Sequence, residues 1–364
     1  MSLHAATSTY LSDATLPLGV DIPQFGLSVA INGDEALVAA PKQPAKAFGS
    51  VSVYVKDSSG TWSGETTFSY AHSAIDAGSY LPCNGIAIEG DTAVLGVPDA
   101  NGSQGVVQIL ERTGSGWIQS QVLSASTPSA FELFGCGVGI SGNTIVVSAP
   151  GHSGTGAGYV FIHQSGGWAL QAQLTATGAA AKDAVGLAAA IDGDLIVLGA
   201  PHSSSNKGAT YVFRRSGSTW SEAKKLVAAD GAADDQFGAA VALSNGTVAV
   251  GAPEWSAGQG AVYIYTGSTF APQSSPLSVT SQRFGSAVSI SGNRLLVGAV
   301  GSNDAYAYTR SGNQWYQRAP FLDVGASRLG GAVAISGSDA IIGAVAGDHA
   351  YIVHDDEIFG NGHE

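Results

Sequence analysis

A gap of sixteen residues recurs seven times along this chain. A Phe-Gly, or a replacement for it, opens a short apolar run. A two-residue turn and a second apolar run follow, and a Gly-Ala-Pro, or its replacement, closes the unit sixteen positions on. The pairs are Phe25 with Pro41, Pro82 with Pro98, Phe134 with Pro150, Val185 with Pro201, Phe237 with Pro253, Phe284 with Val300, and Leu329 with Val345. Copies start 45 to 57 residues apart, the length of one four-stranded propeller blade. Each copy then continues alike. A loop leads to a strand such as Gly260-Ala261-Val262-Tyr263-Ile264-Tyr265, a Gly/Ser turn follows, and an aromatic opens the last strand: Trp62, Trp117, Trp168, Trp220, Phe270 or Trp315. These aromatics hold one repeat position, so they read as packing between blades.

The expected fold is therefore all-β: a seven-bladed β-propeller of four-stranded antiparallel blades. Length alone would suggest two domains for 364 residues, but repeats override that rule, and residues 1–364 are read as one domain. Its repeats start near 25, 82, 134, 185, 237, 284 and 329. Fifty glycines and few charges suit short strands and tight turns. The last copy lacks an aromatic-led fourth strand, while residues 5–11 form an unassigned strand-like piece in which Leu11 matches Leu226. That piece is expected to complete the last blade as its outer strand and close the ring, which removes an open sheet edge. Residues 356–364 are read as a tail.

These residues resemble the FG-GAP repeat family, known best from the head domains of integrin α subunits, and the resemblance covers nearly the whole chain. It implies a seven-bladed propeller, often extracellular and often used in adhesion or carbohydrate recognition. One departure matters. Integrin-type repeats carry an Asp/Asn-rich calcium loop between the first two strands, whereas here that connection is a bare hairpin, as in Asp192-Gly193-Asp194 or Ser244-Asn245-Gly246. Calcium takes six to eight oxygens, and these turns are too short to wrap an ion, so no calcium, metal or other cofactor is assigned.

Strand order puts the loops before each Phe-Gly and after each Gly-Ala-Pro on one side and the short hairpins on the other. The longer, more varied loops suit recognition. The ligand-binding candidates there are Trp255, Glu254, His202, His152, Asp99, Tyr80, Asp234, Asp235 and Arg283. Trp255 is the tryptophan outside the repeat position, and a ring beside Glu254 suits a sugar face or a protein anchor. His152 and His202 occupy similar places in adjacent blades, without the further ligands a zinc site needs. Asp230, Asp234 and Asp235 form the densest carboxylate cluster, for which a solvated or turn-capping role is the default reading and a metal or a basic ligand the alternative. Cys83 and Cys136 start the innermost strands of neighbouring blades on sheet faces that meet, so a disulfide or two buried thiols both fit. A disulfide would imply an oxidising compartment.

No catalytic signature is found, and no catalytic residue is assigned. A net charge of −13 argues against nucleic acid and anionic membrane as partners, and no apolar run is long enough to span a bilayer. The expectation is a non-enzymatic, secreted or surface module that binds a glycan or protein through its loop face, with the signal peptide absent from these residues. The alternatives are a polysaccharide-degrading lyase or hydrolase on the same scaffold, and a scaffold domain of a larger surface protein.

Overall fold

The structure is a computed structural model that describes residues 9–11, 25–40, 49–70, 83, 85–273, 275–318, 320–322, 328–344 and 349–354. Tyr80 and the remaining residues of the 71–82 loop lie outside the described residues, as do residues 5–8 and the 356–364 tail.

Seven antiparallel sheets follow one another around a ring. Blade three is typical. Its strands Val138–Ser141, Thr144–Ala149, Ala157–Gln164 and Gly167–Leu174 pair in sequence order from the axis outward. A register shift between the third and fourth strands recurs at the same point in the first four blades, at Val53/Tyr54, Ile109/Leu110, Val160/Phe161 and Val212/Phe213. Such a bulge adds twist. In the seventh blade, Thr9–Leu11 pairs with His349–His354. Leu11 stands opposite Ala350 as Leu226 stands opposite Thr210 in blade four, the register that the sequence match between the two leucines requires.

The structure explains why the repeat uses these residues. The Phe of Phe-Gly is buried between sheets, as Phe25, Phe134, Phe237 and Phe284 are, and packs edge-on against a tyrosine of the third strand, as Phe134 does on Tyr159. The glycine that follows is left-handed: Gly238 has φ 94°, a conformation that costs other residues strain. It also faces the glycine of the preceding blade's Gly-Ala-Pro. A Cβ on Gly199 would sit 2.0 Å from the Gly238 carbonyl oxygen, and the same clash would arise for Gly96 on Gly135, Gly251 on Gly285, Gly298 on Gly330 and Gly343 on Gly26. The last of these joins blade seven to blade one. Backbones of adjacent blades therefore touch directly, and the motif is the record of that contact.

A second ring runs through the hairpins. The central turn N–H of each blade donates to the side chain of the first turn residue of the blade before it. Gly33 reaches Ser336 Oγ, Gly90 reaches Asn32 Oδ1, Gly142 reaches Glu89 Oε2, and Gly193 reaches Ser141 Oγ. Asn245 to Asp192 Oδ2, Gly292 to Ser244 Oγ and Gly337 to Ser291 Oγ complete the circle. The Asn, Glu, Ser and Asp residues that open these turns serve as acceptors between blades.

Candidate functional site on the loop face

Among the described residues, the loops after the prolines of blades two to five are single tight turns: Ala100–Ser103, His152–Gly154, Ser203–Asn206 and Trp255–Gly258. Their central residues are left-handed, as Ser204 and Ser205 are with φ 55° and 60°, which is why Gly, Asn and Ser crowd these segments. Each turn is tied to the segment before the next blade's Phe-Gly. Lys182 N–H donates to Gly154 O, Asp234 N–H to Ser205 O and Arg283 N–H to Gly258 O. The loop face is thus a hydrogen-bonded surface.

Most of the polar residues expected to bind a ligand are spent on these ties. Asp234 Oδ1 accepts from Asn206 Nδ2 at 2.9 Å. Asp235 is buried and its Oδ2 accepts from Ala232 N–H at 2.6 Å, and Asp230 accepts from the Tyr263 hydroxyl at 2.8 Å. The three carboxylates therefore act separately, with turn capping confined to Asp235. Arg283 Nε lies 3.0 Å from Glu254 Oε1, an ion pair by distance without hydrogen-bond alignment. Trp255 is half-buried and packs against the cluster that holds Phe237 and Tyr263. Asp99 stands at the head of the turn Ala100–Ser103.

His152 and His202 are one position out of register. His202 heads its turn, where Gly151 heads the corresponding one, and is exposed. His152 occupies the place of Ser203 and turns inward. Its Nδ1 lies 2.9 Å from Glu132 Oε1 and 3.0 Å from the Tyr159 hydroxyl, and its Nε2 lies 2.9 Å from Gln173 Nε2. These contacts suit the tautomer in which Nδ1–H donates to the carboxylate and Nε2 accepts from the amide. Glu132 also accepts from Ser129 Oγ, and its Oε2 is buried without a partner among the described residues. Burial, with the nearby Glu132 charge second, pushes the Tyr159 phenol up to about 12. In blade four the same two positions hold Asp183 and Ser203, bonded at 3.1 Å. The His152–Glu132 pair is thus a larger version of a loop tie that the repeat already contains. Among the described residues no group of three His, Cys, Asp or Glu side chains is arranged to hold a metal.

Phe131, on the segment before the third Phe-Gly, is a loop-face residue that the sequence reading did not single out. It is 75% exposed and left-handed, with φ 65°. Lys182 and Asp234 hold the equivalent place, three residues before the Phe-Gly position, with φ 74° and 69°. The repeat imposes the conformation, and an aromatic is a poor occupant of it. A Cβ on Gly151 would lie 1.8 Å from the Phe131 carbonyl oxygen, so the Phe131 backbone rests directly on the His152 turn. Alignment of the residues three before each Phe-Gly was the signal that would have found it.

Cys83 and Cys136 are joined by a disulfide that links blades two and three. On the opposite, hairpin face, the same two blades border a cavity of about 310 Å³.

The FG-GAP repeat model matches residues 117–161, 168–213, 220–265 and 278–315, and the first three matches each run from the outer strand of one blade to the third strand of the next. No curated protein sequence matches the chain. Among solved structures, a chain of a mitotic checkpoint complex has TM-score 0.61 at 13% identity, with 97% of each chain covered. A protein from Lactobacillus plantarum has TM-score 0.57 at 12% identity, over 84% of this chain and 86% of that one. A putative 6-phosphogluconolactonase from Bacteroides fragilis has TM-score 0.54 at 13% identity, over 80% and 82%. Likeness at this identity is likeness of fold. With four matched copies set among seven blades of one repeat, the chain belongs to the FG-GAP repeat β-propeller family.

Proposed function

We propose that this propeller is a non-enzymatic recognition module that works outside the cytosol and binds a glycan or protein through its loop face. The observation that carries this reading is Phe131: a large apolar ring held out to solvent, on a backbone conformation that costs energy, above a hydrogen-bonded surface. Strained residues persist where the surrounding structure enforces them, and they cluster at binding sites. An exposed, pre-positioned aromatic is a typical anchor for a sugar face or a partner's pocket. The Cys83–Cys136 disulfide supports an oxidising compartment. The Glu132–His152 pair reads as a loop tie because its counterpart, Asp183–Ser203, is one.

A glycan array probed with wild type and Phe131→Gly tests the reading. Phe131→Gly removes the ring and relieves the left-handed strain, so binding is expected to fall at least about tenfold, typical of a lost aromatic anchor, while thermal stability holds or rises. Unchanged binding by the variant overturns the assignment. An array on which the wild type binds nothing eliminates the glycan arm and leaves the protein arm, for which photo-crosslinking from position 131 is the measurement.

A further inference from the structure

Six blades open their outer strand with an aromatic, and five of those rings carry a cation. Lys56 lies 5.6 Å from the Trp62 ring centre, Arg112 5.8 Å from Trp117, Arg215 5.2 Å from Trp220 and Arg310 5.5 Å from Trp315. Phe270, whose own blade has Gly267 at the cation's position, is covered by Arg214 of the preceding blade at 5.5 Å. The cation also bridges blades. Arg215 donates from Nε to Asp194 Oδ1 in its own turn and from Nη1 to Thr144 Oγ1 of the preceding blade. Arg310 does the same with Asn293 and Thr247. Guanidinium suits such a clamp because its planar fork serves two acceptors while its face stacks on a ring.

Blade three keeps every part of this clamp except the cation. Trp168 is the ring, Asn143 corresponds to Asn293, and Thr92 of blade two corresponds to Thr247. The cation's position holds His163, whose ring meets Trp168 edge-on at 5.1 Å and whose side chain makes no hydrogen bond or ion pair among the described residues. An imidazole falls short of the acceptors that a guanidinium reaches. The 310 Å³ cavity lies at this place, and Thr92, Asn143, His163 and Trp168 line it together with the carboxylates of Asp91 and Glu111. Arg112, also in the lining, has its charge engaged by Glu35 and Glu65. The chain's net charge of −13 favours the approach of a cation.

We infer that this cavity binds a guanidinium group supplied from outside the chain, which takes the place that Arg310 takes in blade six: its N–H groups on Asn143 and Thr92, its charge facing Asp91 and Glu111, and its face toward Trp168. One site of this size, open to water, gives millimolar affinity for the isolated group, and contacts around it add to that in a complete ligand.

The test follows the Trp168 indole N–H resonance of the full chain, assigned by its loss in Trp168→Phe, during titration with arginine amide. A saturable shift is expected, together with a response at least tenfold weaker to citrulline amide, whose ureido side chain is the uncharged isostere of the guanidinium. His163→Arg supplies the cation from within and is expected to abolish the shift and raise Tm. Should that variant fail to fold, Thr92→Val removes one acceptor at constant shape and is expected to weaken binding several-fold. Acetyl-Gly-Arg-Gly amide separates the sources: binding equal to that of arginine amide indicates a partner's arginine, and its exclusion a small free guanidine. No saturable shift, an equal response to citrulline amide, or a shift that survives His163→Arg overturns the inference.

Discussion

Gly199→Ala isolates the contact on which the repeat motif rests. Gly199 does not have positive φ, so alanine brings no backbone strain there, and in an open position it would stabilise slightly through the unfolded chain. Its new methyl would lie 2.0 Å from the Gly238 carbonyl oxygen, against a closest comfortable carbon–oxygen approach of roughly 3.3 Å. About 1.3 Å of separation must be found, and no side chain can rotate to supply it. Both backbones are also held: Gly199 N–H donates to Ala188 O at 2.9 Å, and Gly238 N–H donates to Gly251 O at 2.9 Å. Overpacking costs about 1–3 kcal/mol, and two pinned backbones place this case at the upper end. With a melting entropy of roughly 2.1 cal/mol/K per residue, a chain of 364 residues loses about 4 °C of Tm for about 3 kcal/mol. Gly166→Ala is the matched control, since its φ is ordinary and nothing lies within 4 Å of the added carbon. Calorimetry of the two variants and wild type is the assay. If Gly199→Ala melts within about 1 °C of Gly166→Ala, the motif does not record a contact between blade backbones.

Replacing Cys83 and Cys136 by serine opens a link between residues 53 apart; the expected loss is about 2–4 kcal/mol, seen as a lower Tm in oxidising buffer that disappears when wild type and variant are both reduced. Equal melting in both buffers would show that the link does not constrain the chain. Burial raises the phenol of Tyr159 to about 12 and those of Tyr265 and Tyr308 further, so the unfolded chain sheds these protons first as pH rises. Stability is then fully present below about pH 10 and falls as pH climbs toward the folded values. Tyr159→Phe should lessen the slope between about pH 10 and 12 by close to one proton. An unchanged slope in denaturant titrations would refute the burial argument.

Much of the architecture was legible because the repeat holds its gap of sixteen through seven copies, even where Val185, Leu329 and Pro82 replace the phenylalanine. The short left-handed turns after Pro98, Pro150, Pro201 and Pro253 were not legible, since such short segments carry no period. Trp255 shows the limit at the candidate site. It stands outside the repeat position and reads as an exposed anchor, yet it is half-buried beside Phe237 and Tyr263. Phe131 looked ordinary in sequence: the repeat sets its left-handed backbone, shared with Lys182 and Asp234, and only the assembled loop face shows its ring to be exposed. The basic clamp left a trace in sequence, a basic residue five before Trp117, Trp220 and Trp315 and six before Trp62, with His163 at the same place before Trp168.

From the amino-acid order alone follow the number of blades, the order of their strands and the sidedness of the loops. These rest on short-range chemistry: alternating apolar runs, tight turns that favour glycine, and aromatics that need burial. Which polar groups remain available to a ligand was decided by the assembled ring, because Asp234, Glu254 and His152 meet partners 20 or more residues away. The empty place over Trp168 arises in the same way, from one side chain that falls short of acceptors contributed by two different blades.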